Sequence, residues 1–334
     1  MMRLPWFEFR APRTIAEAAK ILAGEGPQAM LIAGGTDLIP NMKRRHQSPK
    51  TLVSLRGVKE LKRSNGTLGS GLTLSDIVHE AGMREKHRAL WQAAAQVATV
   101  HLRNMGTLGG NLCLDTRCTY YNQNHEWRKA IDFCLKKDGD ICWVATASKR
   151  CVAVSSTDTA PALIALGAKV KLVSAQGERE VPLAALYNND GIDYLTRRAD
   201  EILTEVAVPS GWTSSYWKLR RRGSFDFPVL GVAAAVKLAK DGTVQEARIA
   251  LGAVASRPFL VEKGGDALKG KKLTDDAIAE AGATVASRAK PMDNTDLDLY
   301  WRKDVVSSFV GHALREVRGD DMRETRLRIA RQAL

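Results

Sequence analysis

Residues 29–37, Ala29-Met30-Leu31-Ile32-Ala33-Gly34-Gly35-Thr36-Asp37, decide how this chain is read. A short apolar run predicts a buried strand over 29–33, and two glycines stop it. Gly34 and Gly35 let the backbone approach a neighbour closely. Their freed N–H groups either close an ordinary glycine turn or form a nest for an anion such as a phosphate, to which Thr36 adds a hydroxyl. The stretch is neither G-x-G-x-x-G nor G-x-x-x-x-G-K-[ST], so alone it matches no nucleotide fingerprint. Further along, Thr107-Leu108-Gly109-Gly110-Asn111 repeats the pattern of a hydroxyl, two glycines and an amide. Two such glycine turns on one domain can grip a diphosphate from two sides, which predicts a dinucleotide site.

The flanking segments set the frame. Residues 14–23 read as a helix capped by Thr14, with Glu17 three positions on completing a capping box. Residues 51–55 read as a strand, 66–72 as a glycine-rich strand-like patch, and 75–101 carry helical spacing. Residues 161–168 read as a helix closed by Gly167, followed by strands over 169–173 and 200–208 and a linker at Pro209-Ser210-Gly211. Residues 229–238 and 247–254 are apolar runs joined near Asp241-Gly242, a hairpin signal. Helical segments over 274–289 and 296–316 end the chain, and strands followed by helices imply an α+β part.

A length of 334 residues suggests two domains or three. With 45% hydrophobic and 26% charged residues, disordered and fibrous classes are excluded. No apolar run reaches about 18 residues, and no secretory signal opens the sequence, so a cytoplasmic protein without membrane contact is expected. Fifty Lys and Arg against 37 Asp and Glu give a net charge of +13. The densest runs, Lys43 to Arg45, Arg220 to Arg222 and Arg315 to Arg331, read as solvated surface. Nucleic acid, an acidic protein or an anionic ligand would also suit them.

All five cysteines fall between Cys113 and Cys151, a clustering that scatter would produce about one time in a thousand. A reducing compartment disfavours disulfides, which leaves a metal, a cluster or redox thiols. Cys118, Cys134, Cys142 and Cys151 are spaced 16, 8 and 9 apart, with no C-x-x-C pair among them. Zinc remains open only through Cys113 and Cys118. Four soft thiolates otherwise suit a [4Fe–4S] cube. The segment around them reads as a long irregular insertion, with Tyr120, Tyr121, Trp127 and Trp143 placed to shield a bound group from water. His125 is a competing ligand that four cysteines make unnecessary. No Ser/His/Asp set or paired-carboxylate motif stands out.

The stretches AGGTDL (33–38), TLGGNL (107–112), STDTAPALIALGA (156–168) and WKLRRRGSFDFPVLGVAAAV (from Trp217), in this order, resemble the FAD-binding subunit of the molybdenum hydroxylase (xanthine oxidase) family. That resemblance implies an α+β chain. Residues 1–210 would form a vanillyl-alcohol-oxidase-like FAD-binding domain in two subdomains, interrupted by the insertion at about 113–153. Residues 213–320 would form a smaller α+β domain of the CO dehydrogenase flavoprotein type. It implies that Ile32, Ala33, Gly34, Gly35, Thr36 and Asp37 wrap the FAD diphosphate with Thr107, Gly110 and Asn111. Asp158 would bind ribityl or ribose hydroxyls, Leu203 would pack on the flavin, and Lys218 would lie near its ring and stabilise an anionic reduced form.

The run NLCLDTRCTYYNQ with the later cysteines is similar to one branch of the family, that of 4-hydroxybenzoyl-CoA reductase, whose FAD subunit carries an extra [4Fe–4S] cluster. The resemblance therefore implies Cys118, Cys134, Cys142 and Cys151 as cluster ligands; Cys113, which immediately follows the glycine turn, reads as a packed residue near the FAD. The expected partners are a molybdopterin-binding large subunit and a small [2Fe–2S] subunit, joined as a dimer of heterotrimers. Ferredoxin is the expected electron donor, docked by charge. The rivals are the FAD subunit of an oxidative hydroxylase and, in another class, a basic zinc protein binding nucleic acid.

Overall fold

The computed structural model describes residues 3–64 and 66–330. Three strands, β1 (Glu8–Arg10), β2 (Ala29–Ile32) and β3 (Thr51–Ser54), form a parallel sheet in the order β1-β3-β2. Parallel neighbours need crossover connections, and helices Ile15–Glu25 and Leu38–Lys43 lie in them. Thr14 caps the first, its hydroxyl accepting from Glu17 N at 3.1 Å. The other half of the expected capping box is shifted by one residue, because the Glu17 carboxylate accepts from Arg13 N instead of Thr14 N. Ala18, Ala19 and Leu22 of this helix pack on Ala29, Val53 and Ile202.

The second sheet holds β4 (Leu68–Gly69), β5 (Lys169–Ser174), β6 (Gly177–Pro182) and β7 (Ile202–Ala207), antiparallel in the order β4-β7-β5-β6. The helical region expected over 75–101 is broken into Leu74–His79, Met83–Lys86, Arg88–Ala95 and Val100–Arg103. Gly82 and Ala98, both at positive φ, interrupt it. The helix Thr159–Leu166 has no polar face and is buried on every side, as such a helix must be. Gly167, in the left-handed region at φ 77°, ends it.

The third sheet consists of β8 (Thr213–Leu219), β9 (Leu230–Leu238), β10 (Val244–Gly252) and β11 (Phe259–Leu260), antiparallel in the order β11-β10-β9-β8. Its hairpin turn contains Gly242 at φ 82°, as the Asp241-Gly242 signal predicts. Alternation along β8 divides its side chains between two cores. Tyr216 packs with the helix Thr159–Leu166 and the second sheet, whereas Trp217 and Leu219 pack with helices Asp275–Ala286 and Leu299–Arg318.

The cysteine-rich insertion contains one short helix, His125–Ala130, and is otherwise irregular. Arg117 and Val154 close its base by exchanging two backbone hydrogen bonds, of 2.8 and 2.7 Å.

One buried carboxylate ties the C-terminal helix to the rest. Glu316 accepts from Arg88 Nη2, Gln92 Nε2 and Trp217 Nε1, each at 3.0 Å, and from Ser215 and Arg326. Burial alone would raise its pKa, but Arg326, Ser215 and Arg88 together hold it below the usual glutamate value. The sequence's basic tail is therefore partly internal, with Arg326 buried and Arg318 paired to Asp275 and Asp320.

Removing one partner from a buried charge cluster costs about 3–5 kcal/mol. Glu316→Ala is expected to lose roughly that much by denaturant unfolding. A depressed carboxylate pKa adds stability that is full above the unfolded value of about 4.3 and fades as pH falls through the folded value. The Glu316→Gln variant should therefore lose less stability than the parent on acidification, which unfolding curves taken down the acid range would check.

Candidate functional site

In an α/β sheet the crevice at the carboxyl ends of parallel strands is where ligands sit. Here β2 ends in Ile32 and runs into Ala33-Gly34-Gly35-Thr36-Asp37, and all six residues line a cleft of about 1030 Å³. Thr107, Gly110, Asn111, Asp158 and Leu203 line the same cleft. The structure thus brings together, from distant parts of the chain, every residue expected to hold FAD except Lys218.

Several of these residues are fixed by the protein itself. Residues 107–111 are not a second free glycine turn. Thr107 caps a short helix, Leu108–Leu112, and its hydroxyl accepts from Gly110 N at 3.1 Å. The Asn111 side-chain oxygen accepts from Thr159 N at 3.1 Å, and from the Thr157 and Thr159 hydroxyls at 2.9 and 2.6 Å. A backbone N–H can only donate, so the amide nitrogen of Asn111 is left as its donor. The Asp37 carboxylate pairs with Arg117 and accepts from Asn41 Nδ2 at 3.1 Å.

Asp158 and Lys218 form an ion pair at 3.0 Å. Burial raises the Asp158 pKa and lowers that of Lys218, each opposed by its partner. Tyr216 also donates to Asp158, at 2.8 Å, and Lys218 donates to Gln96 O at 3.0 Å. Lys218 is fully buried and stands behind Asp158, away from the cleft wall. This differs from the expected place beside a flavin ring. Its position on β8 is shared with Tyr216 by period-2 alternation, which turns both toward Asp158.

The lining charges suit an anionic ligand. Asp37, Asp115, Asp158, Asp226 and Asp296 are each paired with a cation of the chain, Arg117, Lys136, Lys218, Arg222 and Arg221. Arg44, Arg56 and Lys62 also line the cleft and have no carboxylate partner among the described residues. A long cleft with surplus positive charge and a free amide donor fits FAD, whose diphosphate needs both.

The glycines differ in what they do. A Cβ on Gly34 would lie 1.8 Å from Met105 O, so Gly34 is required by the seam between the two glycine segments. Gly35 sits at φ 69°, a left-handed conformation. A Cβ on Gly110 would meet only Thr107 Oγ1, at 3.0 Å, and would otherwise face open space.

The four predicted ligands Cys118, Cys134, Cys142 and Cys151 are buried and line one small cavity together. Among the described residues no three His, Cys, Asp or Glu side chains converge to hold a single metal ion. Four thiols around one cavity are the donor set that a cube with one thiolate per iron would use. Burial pushes both the Cys118 and Cys151 thiols up to about 11, and backbone N–H groups, Ala153 N on Cys151 Sγ among them, act in the opposite sense. Tyr120, Tyr121 and Trp143 line the cavity, as expected of shielding residues. Trp127 does not; it is 40% exposed and packs on Tyr120. His125 is exposed beside Glu126 and takes no part. Cys113 lines the cleft next to Arg197 and takes no part in the cysteine cavity. Cys118 lines both cavities, so the cysteine site and the cleft share a wall.

Residues 5–211 match the family described as the FAD binding domain in molybdopterin dehydrogenase, and residues 214–317 match the CO dehydrogenase flavoprotein C-terminal domain. The chain belongs to the FAD-binding subunits of the molybdenum hydroxylase family. It is 31% identical over 272 residues to the aldehyde oxidoreductase FAD-binding subunit of Escherichia coli, covering 77% of this chain and 84% of that one. It is 29% identical to the nicotinate dehydrogenase FAD-subunit of Eubacterium barkeri, covering 80% and 81%. A carbon monoxide dehydrogenase structure from Hydrogenophaga pseudoflava superposes with a TM-score of 0.77 at 25% identity, covering 95% of this chain and 99% of that one. The chain is thus an oxidoreductase subunit, and its α+β fold in these two parts is that of the family. Among the described residues no helix is long and apolar enough to cross a membrane.

Sequence reading missed Asp115, Arg117, Lys136 and Tyr194. Three of them are charged residues buried within the insertion, and the only signal was their presence in a segment otherwise rich in cysteine and aromatics.

A Cβ at Gly110 intrudes on the cleft, whereas one at Gly34 breaks the seam. Gly110→Ala is expected to give a folded protein with at least a tenfold weaker hold on FAD. Gly34→Ala should lower the melting temperature even without FAD. Flavin content by absorbance and melting curves of both apoproteins separate the two effects.

Proposed function

We propose that this subunit carries FAD in the cleft and a [4Fe–4S] cluster on Cys118, Cys134, Cys142 and Cys151. In this reading it relays electrons between an external one-electron carrier and the molybdenum centre of its complex. One observation carries it: four cysteines spread over the insertion line one buried cavity, and Cys118 also forms part of the FAD cleft. FAD exchanges one or two electrons, which suits a position between a one-electron carrier and two-electron chemistry. Within the cleft, Ile32 to Asp37 and Gly110 would hold the diphosphate and the Asn111 amide would donate to it. Asp158 would accept from sugar hydroxyls, and Leu203 would pack on the ring. Lys218 would oppose the effect of burial on Asp158 and hold its carboxylate in place.

We infer further that the complex contains a molybdopterin-binding large subunit and a small [2Fe–2S] subunit, assembled as a dimer of heterotrimers. Its reaction would resemble that of 4-hydroxybenzoyl-CoA reductase, the reductive removal of a phenolic hydroxyl from an aromatic CoA thioester, with ferredoxin as donor in the cytoplasm. A net charge of +13 supports docking of an acidic carrier. The names of the relatives, nicotinate dehydrogenase and carbon monoxide dehydrogenase among them, favour a second reading in which electrons leave the complex through FAD. The nucleic-acid reading loses support because Arg220 and Arg326, from two of the three basic runs, are buried.

Anaerobically purified protein is expected to show flavin bands with a broad iron–sulfur shoulder near 400 nm. Replacing any one of Cys118, Cys134, Cys142 or Cys151 with Ser should remove most of the iron and leave FAD, whereas Cys113→Ser should keep both. Unchanged iron in the four ligand variants would refute the assignment. In the assembled complex, Cys134→Ser should lose flavin reduction by ferredoxin or a viologen radical and keep flavin reduction from the molybdenum side, read by stopped-flow bleaching. Equal loss from both sides, or loss from neither, would rule out electron entry through the cysteine site.

A further inference from the structure

Between the cysteine cavity and the FAD cleft lies a buried ion pair with a defined direction. Lys136 Nζ donates to Asp115 Oδ1 at 2.8 Å, to Thr116 Oγ1 at 2.7 Å and to Gly191 O at 2.5 Å, which accounts for its three protons. The side chains of Lys136 and Asp115 are 6% and 4% exposed. The ammonium is held between the rings of Tyr121 and Tyr194, at 4.7 and 5.4 Å from their centroids. Tyr121 also donates its hydroxyl to Asp115 Oδ2 at 3.0 Å, and Gln47 Nε2 donates to the same oxygen at 3.3 Å. Neither charge can turn away without breaking several of these contacts.

The two ends face different cavities. Lys136 lines the cysteine cavity and Asp115 lines the cleft. The pair is therefore a fixed dipole, positive end toward the four cysteines and negative end toward the cleft. Away from water such charges are weakly screened and act over several ångströms. A positive charge beside a redox group favours the state with the extra electron and raises its potential; a negative charge does the opposite.

We propose that the Lys136–Asp115 pair sets the relative potentials of the two redox groups, raising that of the cysteine-bound group and lowering that of the flavin. The inference rests on the reading in which the four cysteines hold a cluster. Lys136 and Asp115 act here as positioning residues: they touch neither a sulfur ligand nor a reacting atom, and their effect is electrostatic.

The test uses the purified complex, with flavin and iron content measured first and both potentials then titrated, the cluster by electron paramagnetic resonance and the flavin by absorbance. Lys136→Met should lower both potentials and Asp115→Asn should raise both. The double variant, which leaves no unpaired buried charge, should lower the cluster potential and raise that of the flavin. Lys136→Arg, which keeps the charge, should restore the parent values. This sign pattern is one that a purely structural role would not produce. Potentials that stay at parent values in the double variant with both cofactors retained would overturn the proposal. So would loss of iron from a folded double variant, which would make the pair a scaffold. If the parent complex contains no iron, the cluster reading itself fails. The flavin then decides alone, and a flavin potential unmoved by Asp115→Asn overturns the remaining half.

Discussion

The structure depends on the ion pair between Asp158 and Lys218. Asp158 stands at the start of the buried helix Thr159–Leu166, and Lys218 lies on the first strand of the third sheet. Their contact joins the part of the chain that forms the cleft to the part that closes behind it. Burial disfavours charge on each of them, and each opposes that effect on the other. The pair also orders its surroundings. Tyr216 is drawn to Asp158 and the Gln96 carbonyl to Lys218, which brings the loop after helix Arg88–Ala95 against the third sheet. The cleft wall at Asp158 is thus supported from behind by charge as well as by apolar packing.

Much of the fold was legible because its signals were local. The strand β2, the caps at Thr14 and Gly167, and the turn at Gly242 follow from side-chain chemistry within a few residues. The convergence of Ile32–Asp37 with residues 107–111 was legible in the two glycine segments and in the motif resemblance, but the way the segments are seated was not. The contact is made by backbone, Gly34 against Met105, and backbone contacts leave no apolar pattern to read. Residues 75–101 show the limit of periodicity: helical spacing continues across breaks that positive-φ residues impose. The place of Lys218 beside Asp158 was hidden for a different reason. Its identity was read correctly, but which side of β8 it occupies depends on the pairing of that strand, which a charge alone does not indicate.

The cysteine site shows the same division. Clustering singles out five thiols and the resemblance four of them, and only the three-dimensional path of the insertion places those four around one cavity. Glycines control that path at two points. A Cβ on Gly191 would lie 2.6 Å from Cys151 Sγ, and one on Gly139 would lie 2.8 Å from Cys134 N. Neither residue belongs to a recognisable motif, yet each keeps space open beside a thiol or its backbone. The loop carrying Gly191 also supplies the carbonyl that fixes Lys136 and the Tyr194 ring that lines the cleft. The geometry of the two cavities is therefore coupled through one short segment.

The paired base of the insertion has a further meaning. Arg117 and Val154 exchange both of their backbone hydrogen bonds, so the chain leaves the FAD-binding framework and returns to it at adjacent points. In an antiparallel pair of this kind the Cα atoms are about 5.5 Å apart, a gap that a tight turn spans. The segment is thus built as a cassette. No strand of the three sheets lies between Arg117 and Val154, so the path of the segment leaves the strand order unaffected. Everything between Arg117 and Val154 thus hangs from one doubly bonded base, and the FAD-binding framework closes around that base with its own connectivity intact.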